Sequence, residues 1–156
     1  MRSTRSHLNI KAPRAVIYRL LLDPAAIARW RVPDGMTAQV HELDAREGGR
    51  VRVSLTYDEP TVAGKTTSHT DTYHGRFAWL IPDKLVVEVH EFETTDPALR
   101  GEMTSTITLS DSDSGTQLVA VHEGLPPGVS LEDNETGWRM SLAKLAELAE
   151  SGQVSP

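Results

Sequence analysis

The sequence predicts an α+β domain in which an antiparallel sheet packs against one long C-terminal helix. Two observations carry this. From Thr37 to Glu123 apolar and polar residues alternate at period two, in runs broken by Gly-, Pro- and Asp-rich turns. From Ser130 to Glu150 the period changes to that of a helix. Strands that follow one another through short turns form an antiparallel meander.

The elements follow in order. His7 to Ala12 is a short strand, with Leu8 and Ile10 on one face. Pro13 suits a first helical turn, and Val16, Ile17, Leu20 and Leu21 form one stripe of the helix Arg14–Leu22. Asp23-Pro24 ends that helix and opens a second, Ala25–Trp30, where Trp30 either covers a cavity or anchors the helix. Arg31–Gly35 turns. Thr37–Leu43 is a strand, and Gly48-Gly49 makes the hairpin into Val51, Val53, Leu55 and Tyr57. Asp58–Thr67 is a polar loop. Ser68–Leu80 is a long strand with Tyr73, Gly75, Phe77 and Trp79 on one face. Ile81-Pro82-Asp83 turns into Leu85–Phe92. Met103, Ser105, Ile107 and Leu109 share the inner face of the next strand, and Leu118–Glu123 is the last.

The closing helix has both ends marked. Ser130 and Asp133 resemble a capping box, and Glu132 and Asp133 place negative charge in the first turn. Trp138, Leu142, Leu145 and Ala149 recur on one face, and Gly152 stops the helix. About 20 residues give a rod of roughly 30 Å, long enough to cross a small domain. Residues 1–151 are therefore expected to be one domain, followed by a disordered tail at 152–156.

Composition excludes several classes of function. The chain has 156 residues, a net charge of −6 and no cysteine. The acidic balance argues against a nucleic-acid partner and against attraction to an anionic membrane. Without cysteine there is no disulfide, thiol nucleophile or thiolate metal site. The N-terminal stretch lacks an apolar signal segment and nothing approaches a membrane span, so a cytoplasmic location is the default expectation.

Taken together, Ala12-Pro13 through Trp30, Asp44-x-Arg46-x-Gly48-Gly49-Arg50, Tyr73-x-Gly75-x-Phe77 and Ile81-Pro82-Asp83-x-Leu85-Val86 form an ordered pattern. His122-Glu123-Gly124-Leu125-Pro126 and Gly137-Trp138-x-x-x-Leu142-x-x-Leu145 continue it. In order and spacing this resembles the activator-of-heat-shock-protein-90-ATPase-like family of the START/Bet v-like (SRPBCC) superfamily. The resemblance implies a helix-grip fold, a curved sheet wrapped around the long helix with an apolar cavity between them. It implies no single activity, since the superfamily spans lipid carriers, hormone receptors, cyclases and cochaperone-like modules.

A search for chemistry yields little. No G-x-S-x-G elbow and no phosphate-cradling loop occurs. Six histidines are present, but none are paired at the spacing of a helical zinc site. The turn Asp111–Gly115 resembles a calcium loop only at its start, because His122 stands where a bidentate Glu is needed. No metal and no cofactor are expected. Strand parity and the resemblance nominate Tyr57, Phe77, Trp79, Val87, Val89, Met103 and Ile107 as lining a concave face, with Trp138 and Leu142 from the helix. The same parity turns Glu91 inward beside Ser105 and His122. A carboxylate facing an apolar cavity would be a raised-pKa base; at a strand end it would simply be solvated.

Three readings follow. The first is a binder of a lipid-, polyketide- or sterol-like molecule, its polar end held by Ser105, His122 or Glu91. The second is a cavity enzyme using Glu91 or His122 for proton transfer. The third is a cochaperone-like module with a chaperone partner. Monomer and homodimer both remain open.

Overall fold

The computed structural model describes residues 2–59, 64–66 and 69–152. The elements are β1 (Ser3–Ile10), α1 (Arg14–Leu22), α2 (Pro24–Trp30), β2 (Met36–Leu43), β3 (Arg50–Tyr57), β4 (Thr70–Ile81), β5 (Leu85–Phe92), β6 (Met103–Ser112), β7 (Gly115–Glu123) and α3 (Leu131–Gly152). The order is the expected one. Residues 60–63 and 67 of the polar loop before β4, the expected strand start at Ser68 and residues 153–156 of the expected tail lie outside the described residues. The first residue of that expected tail, Gly152, belongs to α3.

All seven strands form one curled antiparallel sheet in the order β1-β7-β6-β5-β4-β3-β2. β1 and β2 are its two edges, and α1 and α2 carry the chain from one to the other. α3 lies inside the curl against β1, α1 and α2. The caps explain the boundaries. Asp23 accepts a hydrogen bond from the Ala26 N–H at 3.0 Å, with Pro24 in the first turn of α2. Ser130 Oγ accepts from the Asp133 N–H at 3.1 Å and starts α3. Trp30 is 1% exposed and donates its indole N–H to the Leu20 carbonyl, so it anchors α2 on α1.

The core fills one end of the grip. Leu142, Leu145 and Ala149 from the second half of α3 are fully buried against Phe77, Ile107 and Leu118 of the sheet and Ile17 and Ile27 of the short helices. Gly75 shows how closely β4 and β5 approach. A Cβ there would stand 2.0 Å from the Val89 carbonyl oxygen and 2.7 Å from His90 Cα, so only glycine fits the motif Tyr73-x-Gly75-x-Phe77.

Two stretches of the sheet face the other way from the sequence expectation. On β5 the buried residues are Val86, Glu88 and His90, so Val87, Val89 and Glu91 point to the outer face. Glu91 sits there beside His74 at 3.4 Å with its side chain 40% exposed, which ends its candidacy as an inward base. Register requires this: Phe77 pairs with Glu88 and Gly75 with His90, and residues directly opposite share a face. On β4 a bulge between Phe77 and Trp79 reverses the alternation, leaving Trp79 56% exposed. Sequence parity fails on β5 because Leu85, Val87 and Val89 make its outer face as apolar as an inner one.

Candidate functional site

The first half of α3 does not continue the packed core. Here the helix stands off the sheet and encloses a cavity of about 460 Å³. Leu55 and Tyr57 of β3, Phe92 of β5 and Met103 of β6 supply apolar wall, and Trp138 and Met140 of α3 form the roof. Asp133 is exposed at the mouth; Tyr73, His90 and His122 at the floor are only about 5–6% exposed.

The floor is a chain of buried ionisable groups. Arg31, at the C-cap of α2, donates from Nη1 and Nη2 to the two carboxylate oxygens of Glu88 at 2.7 and 2.8 Å. Burial opposes charge on both partners. Their mutual attraction outweighs it, holding Glu88 well below the usual carboxylate range and Arg31 above its own ordinary value. The guanidinium also lies 5.2 Å from the Tyr73 ring centroid and 5.8 Å from that of Trp138. Burial pushes the Tyr73 phenol up to about 12, so it is a neutral hydroxyl.

From Glu88 the chain continues through two imidazoles. His90 Nδ1 is 2.9 Å from Glu88 Oε2, close enough for attraction but not aligned as a hydrogen bond. His90 Nε2 is 3.1 Å from His122 Nε2. At the far side Trp138 Nε1 donates to His122 Nδ1 at 3.1 Å, joined by Asn134 Nδ2 at 3.2 Å. Indole N–H is a donor only, and this fixes every tautomer. His122 Nδ1 is an acceptor, so its proton sits on Nε2 and is donated to His90 Nε2. The His90 proton is therefore on Nδ1, facing Glu88. Burial, reinforced by His90, lowers His122 to about 3, which keeps it neutral near pH 7. Thr4 Oγ1, 2.7 Å from Asn134 Oδ1, ties the chain to β1. As placed, the lone pairs of both imidazoles are spent within this chain, which holds the Arg31–Glu88 pair in position.

Of the residues nominated from sequence, Tyr57, Met103, His122 and Trp138 stand on the cavity. Phe77, Ile107 and Leu142 are packed in the core at its closed end. Ser105 is 4% exposed and lies on the inner face between Glu88 and His122 in register, off the cavity wall. Trp79, Val87, Val89 and Glu91 are on the other face. Sequence reading missed Arg31, Glu88, His90, Tyr73 and Asn134 as a group. The available signal was register: once Phe77 faces inward, Glu88 opposite it does too, and a buried carboxylate requires a cation.

Among the described residues no cluster of three or more His, Asp or Glu side chains is arranged to hold a metal. No described helix is long and apolar enough to cross a membrane.

Residues 11–150 match the family described as Activator of Hsp90 ATPase homolog 1-like protein. No curated protein matches the chain. Among solved structures, a Chromobacterium violaceum protein is 33% identical with a TM-score of 0.85, over 95% of this chain and 96% of that one. A Rhodobacter sphaeroides protein shares the fold at a TM-score of 0.78 and 17% identity, over 96% of this chain and 92% of that one. An AHSA1-like protein from Aeromonas hydrophila does so at 0.74 and 13% identity, over 99% and 96%. The curled sheet closed on a long helix and a match spanning nearly every element lead to one assignment: the chain belongs to the Activator of Hsp90 ATPase homolog 1-like family.

Proposed function

We propose that this protein binds a small hydrophobic or amphipathic molecule, with a lipid-, polyketide- or sterol-like skeleton, between the sheet and the first half of α3. The observation that carries this is the cavity of about 460 Å³, which falls within the roughly 300–1,000 Å³ range of small-molecule sites. Its apolar wall and polar floor suit a ligand with one greasy body and one polar end. A cytoplasmic setting is part of the same proposal and is supported by the acidic, cysteine-free composition.

The experiment is native mass spectrometry of the protein purified from its own host, set against the denatured mass, followed by thermal shift with fatty acids, polyketides and sterols. A reproducible extra mass lost on denaturation is expected. A matching ligand at 100 times its Kd should stabilise the fold by about 2.7 kcal/mol. A clean apo mass together with no shift across the panel would sink the proposal.

A further inference from the structure

We infer that the polar end of this cavity is a subsite for a neutral oxygen acceptor, a carbonyl above all, read by the guanidinium of Arg31 and the hydroxyl of Tyr73. The inference rests on the binding reading above and narrows it to a chemical class.

The argument is an inventory of donors. A guanidinium carries five N–H groups. Arg31 gives one from each Nη to Glu88; the remaining three have no hydrogen-bond partner among the described residues. Its side chain is 15% exposed and lines the cavity. The guanidinium is held by Glu88 on one side and by the rings of Tyr73 and Trp138, so these spare donors are fixed in direction. Tyr73 lines the same cavity, and its hydroxyl, buried just beneath the wall, has no partner either. Elsewhere on the cavity His122 is committed to Trp138, Asn134 and His90, and the Lys65 ammonium gives one of its three N–H groups to Asp71 at 3.0 Å.

Charge then decides what kind of acceptor fits. Each cation on the cavity already has its anion, Arg31 with Glu88 and Lys65 with Asp71. Asp133 at the mouth adds negative potential. A carboxylate ligand would be stripped of water without meeting an uncompensated cation. An ammonium would find a single free acceptor at the floor, the Tyr73 oxygen, and would have to sit beside the Arg31 guanidinium to reach it. A neutral carbonyl oxygen has two lone pairs to offer spare N–H and O–H groups and brings no charge to desolvate.

The test uses two probes that share a skeleton and differ in the acceptor: benzophenone, with a carbonyl between its rings, and diphenylmethane, with a methylene there. Calorimetry on the full-length wild type is expected to show benzophenone binding about tenfold more tightly, one buried hydrogen bond's worth. In the double variant Tyr73→Phe/Arg31→Lys, which keeps a cation beside Glu88, the ratio should fall within about twofold. The infrared carbonyl stretch of benzophenone bound to wild type should move to lower frequency than in hydrocarbon solvent. Equal affinities in wild type, a ratio that survives in the double variant, or an unshifted carbonyl band each overturns the subsite and leaves the binding proposal standing. Failure of both probes to bind overturns the subsite as well, while the binding proposal is decided separately by the native mass and the thermal-shift panel. If the double variant does not fold, the wild-type ratio and carbonyl band decide the matter alone.

Discussion

His90 Nε2 and His122 Nε2 face each other 3.1 Å apart in the sealed floor of the cavity, with a single proton between them. Two donors on His122 Nδ1 leave no other arrangement. His122 is thus held neutral by its neighbours, and adding a proton to it breaks the bonds it accepts.

This sets the acid sensitivity of the fold. His122 takes a proton near 6.5 when unfolded but only at about 3 when folded. Between those values the unfolded state binds more protons, so stability falls as pH drops from about 6.5 towards 3. The slope approaches 1.4 kcal/mol per pH unit, and the total reaches roughly 4 kcal/mol. Urea unfolding across this range should show the slope, and His122→Gln should flatten it. An unchanged slope in the variant would assign the sensitivity elsewhere.

Glu88 acts in a lower window. Its carboxyl is depressed by Arg31 despite burial, so its contribution is complete above the unfolded value near 4.5 and fades as pH falls below it. At neutral pH Glu88→Gln leaves Arg31 buried without its anion and should cost about 3–5 kcal/mol. The double variant Arg31→Met/Glu88→Leu should recover much of that loss, which chemical denaturation of the three proteins would measure.

Two glycines should respond in opposite directions to alanine. Gly75→Ala places a methyl 2.0 Å from the Val89 carbonyl and should destabilise or prevent folding. At Gly137 in α3 an added Cβ would meet Pro33 Cγ at an ordinary 3.5 Å, so Gly137→Ala should raise stability by up to about 1 kcal/mol through helix propensity. Melting temperatures of the two variants test both.

Cavity filling offers a test of binding that leaves the floor untouched. Leu55 is half-buried on the wall, and Leu55→Trp should occupy ligand space. The extra mass seen by native spectrometry should fall away in this variant, with the far-ultraviolet circular dichroism unchanged.

Trp30 fills the joint between α1 and α2, where its indole reaches the Leu20 carbonyl at 3.0 Å. Trp30→Ala should cost about 3–5 kcal/mol; Trp30→Phe, which keeps most of the volume, should cost distinctly less.

Much of the fold was legible because turn chemistry and periodicity are local. Asp23-Pro24, Gly48-Gly49 and Ser130 mark boundaries by their own backbone and side-chain preferences, without help from the rest of the chain. The site was less legible because it depends on which face of β5 turns inward. Val87 and Val89 look like core and lie outside; Glu88 and His90 look like surface and lie inside, stabilised by Arg31 from a helix 57 positions away. Nor could the α3 pattern show that Leu142 belongs to packed core while Trp138, one turn earlier, roofs an open space, since both require apolar side chains.

The pairing of β1 with β7 has a consequence for how the molecule is made. Ser3 lies opposite Glu123 and Ile10 opposite Thr116, and Thr116 donates to a carbonyl 104 residues earlier at Ala12. As the chain leaves the ribosome, β1 is synthesised first but has no partner until the last strand emerges. The meander from β2 onward can zip strand by strand in the meantime, while joining β1 requires closing the long loop between Ile10 and Thr116. The first strand to be translated is therefore the last that can take its place.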